Sequence, residues 1–190
     1  MRDLDGDGES EVTLLLNWDG THCCSWSRVY RYDRARRRYV PANHFWGNAA
    51  AIPQLRDLDG DRRPEFVSRD DRFTEVFTSY AGSVTPIQVW SYRRGRFRDV
   101  TRRYPAQVRR DAVRLWRLYL KYGPRDEARG ILPAWAADEY LLGRGAVADE
   151  ALEAAAARGQ LKAGAFEEPR DQRAYISAVK ALLRRTGYAR

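Results

Sequence analysis

Seven residues of an eleven-residue segment near the start of the chain return 54 positions later, and this repeat constrains the fold more than anything else in the sequence. Arg2-Asp-Leu-Asp-Gly-Asp-Gly-Glu-Ser-Glu-Val12 is matched by Arg56-Asp-Leu-Asp-Gly-Asp-Arg-Arg-Pro-Glu-Phe66. Each copy leads into a β-rich run, and each is later followed by an aromatic hairpin pattern, over 26–40 and 86–100. A repeated unit of this length holding several strands is the size of one propeller blade.

Within each copy carboxylates stand at positions 1, 3, 5 and 9. They are Asp3, Asp5, Asp7 and Glu11, then Asp57, Asp59, Asp61 and Glu65. Side chains at alternate positions of a tightly turned loop can converge on one point. Gly6 and Gly60, at position 4, permit the turn. Four such groups repel one another unless a cation neutralises them. Ca²⁺ accepts roughly six to eight flexible oxygen ligands, with backbone carbonyls and water completing the shell. The expected carbonyl donors are Glu9 and Arg63, at position 7. Mg²⁺ prefers fewer protein ligands and stricter octahedral geometry.

Neighbouring motifs fail on particular positions. An EF-hand needs its bidentate Glu at position 12, which here is Leu14 and Ser68; a dockerin-type loop fails for the same reason. The haloacid-dehalogenase signature needs a Thr where this chain has Asp7 and Asp61, and a hydrophobic strand before its first Asp.

Asp-x-Asp-Gly-Asp-x-x-x-Glu followed by a strand resembles the calcium loops of the FG-GAP/VCBS repeat family of integrin-type propellers, over residues 2–101. The resemblance implies that the eight carboxylates ligate Ca²⁺, and it implies adhesion or ligand-binding roles. Position 6 departs between the copies, being Gly8 in the first and Arg62 in the second.

Up to about residue 101 the patterning is β. Val12-Thr-Leu-Leu-Leu16 is expected to end at the turn signal Asn17-Trp-Asp-Gly20. Ser27–Tyr32, Arg38–Val40, Glu75–Thr78, Ile87–Tyr92 and Arg96–Val100 read as further strands, with Arg93-Arg-Gly95 as a hairpin tip. After Pro105 the period becomes helical. Val108, Ala112, Leu115, Trp116 and Tyr119 share one face, and Gly123-Pro124 ends that helix. Further helices are expected around 131–142, bent near Pro133, around 147–156 to Gly159, and from an Asp171 cap through Leu183. The expected fold is α+β and multidomain. Residues 1–104 form an antiparallel β unit of two propeller-blade-like repeats, and 105–190 an all-α bundle of about four helices.

Other signals are weaker. His22-Cys23-Cys24 invites a metal or nucleophile reading, but only His44 could add to it and zinc needs four spaced ligands. The two cysteines read as small buried residues. His44-Phe-Trp-Gly-Asn48 reads as core between the repeats, with an exposed aromatic platform as the alternative. Arg102, Arg103, Arg109, Arg110, Arg114 and Arg117 read as a solvated face. Of the 34 basic residues only 3 are Lys, the mark of a GC-rich gene, so the net charge of +8 argues only weakly for nucleic acid.

No run approaches the ~18 apolar residues of a membrane span, so a soluble chain is expected. The first loop starts at residue 3, and a fragment whose leader and upstream strand lie outside the given chain is the alternative reading this raises. Loops of this kind suit an extracellular or cell-envelope compartment, where Ca²⁺ is abundant. The functional expectation is a calcium-binding, non-catalytic interaction module of an exported bacterial-type protein, with a protein or glycan ligand. The alternatives are a calcium-stabilised scaffold within a hydrolase, and a basic nucleic-acid binder. The first loop carries a formal −5 and the second −2. The second, mid-chain and stiffened by Pro64, is nevertheless expected to be better ordered and to bind more tightly.

Overall fold

The computed structural model describes residues 1–20, 23–48, 52–125, 127–165 and 167–189. It divides into two compact units. One comprises Met1–Asp71 with Ile87–Tyr104, the other Arg72–Pro86 with Pro105–Arg190.

The first unit holds two antiparallel sheets. Strands β1 (Val12–Gly20), β2 (Cys23–Asp33) and β3 (Arg38–Gly47) pair in the order β1-β2-β3. Strands β4 (Gln54–Arg56), β5 (Glu65–Arg69), β6 (Ile87–Arg93) and β7 (Arg96–Asp99) pair in the order β4-β5-β6-β7. The repeat in sequence becomes a repeat in register. Val12 opposes Tyr30 in one sheet and Phe66 opposes Trp90 in the other; Tyr32 opposes Tyr39 and Tyr92 opposes Phe97. Leu4, Val29, Trp46, Phe66 and Tyr92 form the buried core of this unit, with Ala42, Leu55, Trp90 and Phe97 against it.

Strands outran their expected ends. β1 continues through Asn17-Trp-Asp-Gly20, where the register shifts instead of the chain reversing. The turn residues there make an irregularity within a paired strand. β3 extends to Gly47, so Trp46 enters the core while Phe45, on the opposite side of the pleat, stays 54% exposed.

The second unit contains α1 (Pro105–Tyr122), α2 (Ala128–Leu141), α3 (Gly145–Ala157) and α4 (Gln172–Arg185). α1 buries Val108, Ala112, Leu115 and Tyr119, the face its periodicity predicts. α2 is buried on every side from Ala128 to Glu139, as a central helix must be. Its Arg129 is held inside the unit: the guanidinium donates to the Leu161 and Pro169 carbonyls, pairs with Glu167 at 3.1 Å and lies over the Tyr175 ring. The Asp171 carboxylate accepts from the Ala174 amide at 2.8 Å and caps α4.

The second unit is more than the stretch from Pro105 onward. Residues 72–86 belong to the helical unit. The strand expected at Glu75–Thr78 is absent; Phe73 and Phe77 enter the helical core instead, against Tyr188 and Tyr175. A short run with two aromatics fits a helix-packed loop as well as a strand, and periodicity alone does not separate them.

Candidate metal centre

Both acidic loops fold into the same backbone shape, and position 1 is the reason. In the first, an Asp3 oxygen accepts from the amides of Asp5 and Gly6, and its other oxygen from Gly8. In the second, Asp57 accepts from Gly60 and Arg62. Asp7 accepts from the Glu9 amide at 2.9 Å, and Asp61 from Arg63 at 2.8 Å. At position 9 the Glu11 carboxylate accepts from the Leu4 amide at 2.7 Å, and Glu65 from Leu58 at 3.3 Å. These side-chain acceptors wind each loop around its own carboxylates. Gly6 and Gly60 sit at φ 79° and 80°, the left-handed conformation the turn demands.

The loops differ in what surrounds the carboxylates. Asp3, Asp5 and Glu11 each bring an oxygen within 4.8 Å of the others, and so do Asp7, Glu9 and Glu11. The Asp5 side chain is only 2% exposed and Glu11 is fully buried. Arg31 of β2 approaches Asp5 at 3.3 Å and Asp7 at 2.8 Å, and the Arg94 amide donates to Asp5. Even so, Asp5 Oδ1 and Glu11 Oε1 accept no hydrogen bond among the described residues. Burial drives the Glu11 carboxyl up to about 7, against the Leu4 amide, and the charges of Asp5, Asp7 and Asp3 add to it. Buried, convergent, under-satisfied carboxylates fit a hard divalent cation, which takes several oxygen ligands at once.

Asp57, Asp59 and Asp61 also converge, but all three residues are exposed. The protein already supplies their partners. Arg63 pairs with Asp61 at 2.9 Å, Arg93 with Glu65 at 3.3 Å, and the Tyr104 hydroxyl donates to Asp59 at 3.1 Å. The Arg63 carbonyl, expected as a ligand, lies 3.5 Å from the Arg93 guanidinium. At the other position 7, the Glu9 carboxylate accepts from the Tyr32 amide. Asp5, Asp59, Asp61 and Glu65 share the wall of one polar cleft of about 380 Å³ with Arg93 and Tyr104, so the two loops are neighbours.

Sequence reasoning named ten loop residues as candidate ligands and did not name Arg31, Arg93 and Tyr104, which contact the loop acids. These reach the loops from strands or from the segment after β7, and no local motif marks them.

The other candidates separate from this centre. Cys24 is disulfide-bonded, which removes the small-buried-residue and nucleophile readings for it. His22 and the Cys23 side chain lie outside the described residues. His44 is half-buried against the aromatic core, with ring centroids 4.1 Å from Trp46 and 4.2 Å from Trp90. Arg109, Arg110, Arg114 and Arg117 line the exposed face of α1, as expected of a solvated face. Among the described residues no helix is long and apolar enough to cross a membrane.

Comparison with known proteins adds relatives but no family. The chain is 29% identical over 147 residues to a probable thylakoid lumen protein of Synechocystis, covering 75% of this chain and 43% of that one. It is 27% identical over 139 residues to an uncharacterized protein of Sinorhizobium fredii, covering 71% of this chain and 21% of that one. The chain thus spans less than half the length of the curated relatives it matches. No protein-family description matches it, and no solved structure matches it.

Proposed function

We propose that the first unit is a calcium-binding, non-catalytic module of the FG-GAP/VCBS type, working outside the cytoplasm. The observation that carries this reading is the pair of buried, unsatisfied oxygens, Asp5 Oδ1 and Glu11 Oε1, inside a loop of five acids. Asp3, Asp5, Asp7, Glu9 and Glu11 would hold the ion in the first loop. Asp57, Asp59, Asp61 and Glu65 would form a second, weaker site in competition with Arg63 and Arg93. The ion would supply positive charge that fixes the loop and, through it, the start of β1. The relative named for the thylakoid lumen supports a location beyond the cytoplasm. A protein or glycan partner would meet the aromatic face of the first sheet, where Tyr39 is 52% and Phe45 54% exposed.

Calorimetric titration with Ca²⁺, in parallel with Mg²⁺, tests the reading. Saturable Ca²⁺ binding that Asp5→Asn abolishes supports it. The absence of binding at millimolar Ca²⁺ overturns it.

A further inference from the structure

We infer that the cation of the first loop takes an additional oxygen from the second sheet, the hydroxyl of Tyr92, so that one ion ties the two repeats together. This rests on the calcium reading and extends it from a loop site to a site shared between sheets.

Tyr92 lies on β6 and is fully buried. Its ring belongs to the unit's apolar core beside Phe97. Its hydroxyl nevertheless has no hydrogen-bond partner among the described residues. A buried phenol normally finds one. The charged groups that act on that hydroxyl are Glu11, Asp5 and Asp7 of the first loop and Arg31 of β2, and burial together with the negative charges of Glu11 and Asp5 opposes its ionisation. The hairpin that carries it is anchored to the same loop. The Arg93 guanidinium donates to the Leu4 carbonyl at 2.8 Å, and the Arg94 amide donates to Asp5 at 3.0 Å.

Three buried oxygens are thus without partners in this loop and on the strand whose end is hydrogen-bonded to it: Asp5 Oδ1 and Glu11 Oε1 from the first repeat, Tyr92 Oη from the second. Two carboxylates and a phenol cannot satisfy one another while both carboxylates are ionised, because only the phenol brings a proton. A hard cation satisfies all three at once. The corresponding place in the other repeat is built differently. By the register match Tyr92 corresponds to Tyr32, and Glu65 is paired with Arg93 instead.

The test is Tyr92→Phe in the full chain, which keeps the ring and removes one oxygen. Calcium affinity is measured by calorimetry, and melting temperature with Ca²⁺ and with chelator. The two roles predict opposite signs. Loss of a ligand weakens Ca²⁺ binding roughly tenfold, the scale of one interaction with a charged group. In chelator the variant melts at the same temperature as the parent or higher, since an unsatisfied buried hydroxyl has gone. Unchanged affinity in a parent that binds Ca²⁺ overturns the inference and leaves the calcium reading standing. A lower melting point in chelator with the calcium increment intact makes Tyr92 purely structural and also overturns it. A parent that binds no Ca²⁺ overturns both.

Discussion

Arg62 holds in the second loop the left-handed backbone that Gly8 holds in the first, at φ 67° against 85°. The amides of both residues donate to the position-1 aspartate at 3.0 Å, so the conformation is imposed by the loop and not by the residue. For a residue with a Cβ this costs about 1–2 kcal/mol. The greater freedom of glycine in the unfolded chain returns roughly 0.5–1 kcal/mol of that. Arg62→Gly is therefore expected to stabilise the first unit by about 0.5–1 kcal/mol, read as a higher urea midpoint at unchanged slope. A lower midpoint would show that the Arg62 side chain contributes contacts worth more than the strain.

The two loops should not respond equally to calcium. In the first, the Asp5 side chain is enclosed and keeps one oxygen without a partner. In the second, the three aspartates are exposed, and Arg63, Arg93 and Tyr104 already engage Asp61, Glu65 and Asp59. An ion there must displace guanidinium groups that the fold supplies at no translational cost. At a hundredfold excess over the dissociation constant, binding stabilises by about 2.7 kcal/mol. Asp5→Asn is expected to remove most of the calcium-dependent rise in melting temperature and Asp59→Asn little of it. Differential scanning calorimetry of both variants decides this, and a larger loss from Asp59→Asn would return the stronger site to the second loop.

That ranking reverses the one read from the sequence, and the reason is instructive. Position near the start of the chain implied a frayed first loop. The structure closes it instead: Arg2 and Glu11 exchange both backbone hydrogen bonds, and Glu11 accepts from the Leu4 amide. Those partners lie within the motif itself, so the loop's self-sufficiency was legible in the spacing of its acids. The contributions of Arg31, Arg93 and Tyr92 were not, because they depend on which strand faces which. The four helices were legible in number and in their C-terminal ends, while α2 and α3 begin at Ala128 and Gly145, before the expected 131 and 147; caps and apolar period act locally, as where Asp171 caps α4 and Gly159 at φ 70° follows α3. Residues 72–86 were misread because Phe73 and Phe77 are buried by distant helices, which no local pattern encodes.

His44 makes the first unit sensitive to acid. Burial among Trp46, Trp90 and Phe97 pushes its imidazole down to about 4, only partly opposed by Asp99. The unfolded chain takes up this proton near pH 6.5 and the folded one only near 4. Stability is thus fully present above about pH 6.5 and is lost as pH falls toward 4, by up to roughly 3 kcal/mol. Glu11 acts in the opposite sense: its carboxyl is raised to about 7, so without a cation its contribution improves as pH falls from 7 toward 4.5. The difference between the parent and His44→Phe isolates the histidine. Urea midpoints at pH 7 and pH 4.5 are expected to fall more in the parent than in the variant. Equal falls would place the imidazole in contact with water.

The last prediction concerns where the helical unit begins. Phe73 packs edge-on to Tyr188 at 5.4 Å and Phe77 to Tyr175 at 5.0 Å, and both phenylalanines are nearly fully buried. Neither is on one of the four α-helices (Phe73 closes a 3-10 turn over Asp71–Phe73); both arrive on the segment 72–86, between β5 and β6. Removing a buried phenylalanine side chain costs about 3–5 kcal/mol, and a whole domain is held by about 5–15 kcal/mol. A fragment of residues 105–190 loses both, so it should be at best marginally folded despite its four helices. Joining 72–86 to that fragment through a flexible Gly/Ser linker should restore a cooperative melt. Phe77→Ala in the linked form should abolish most of the gain. Circular dichroism melts of the three proteins test this directly. If residues 105–190 alone melt as cooperatively as the linked form, the helices are self-sufficient and the segment is only laid against them.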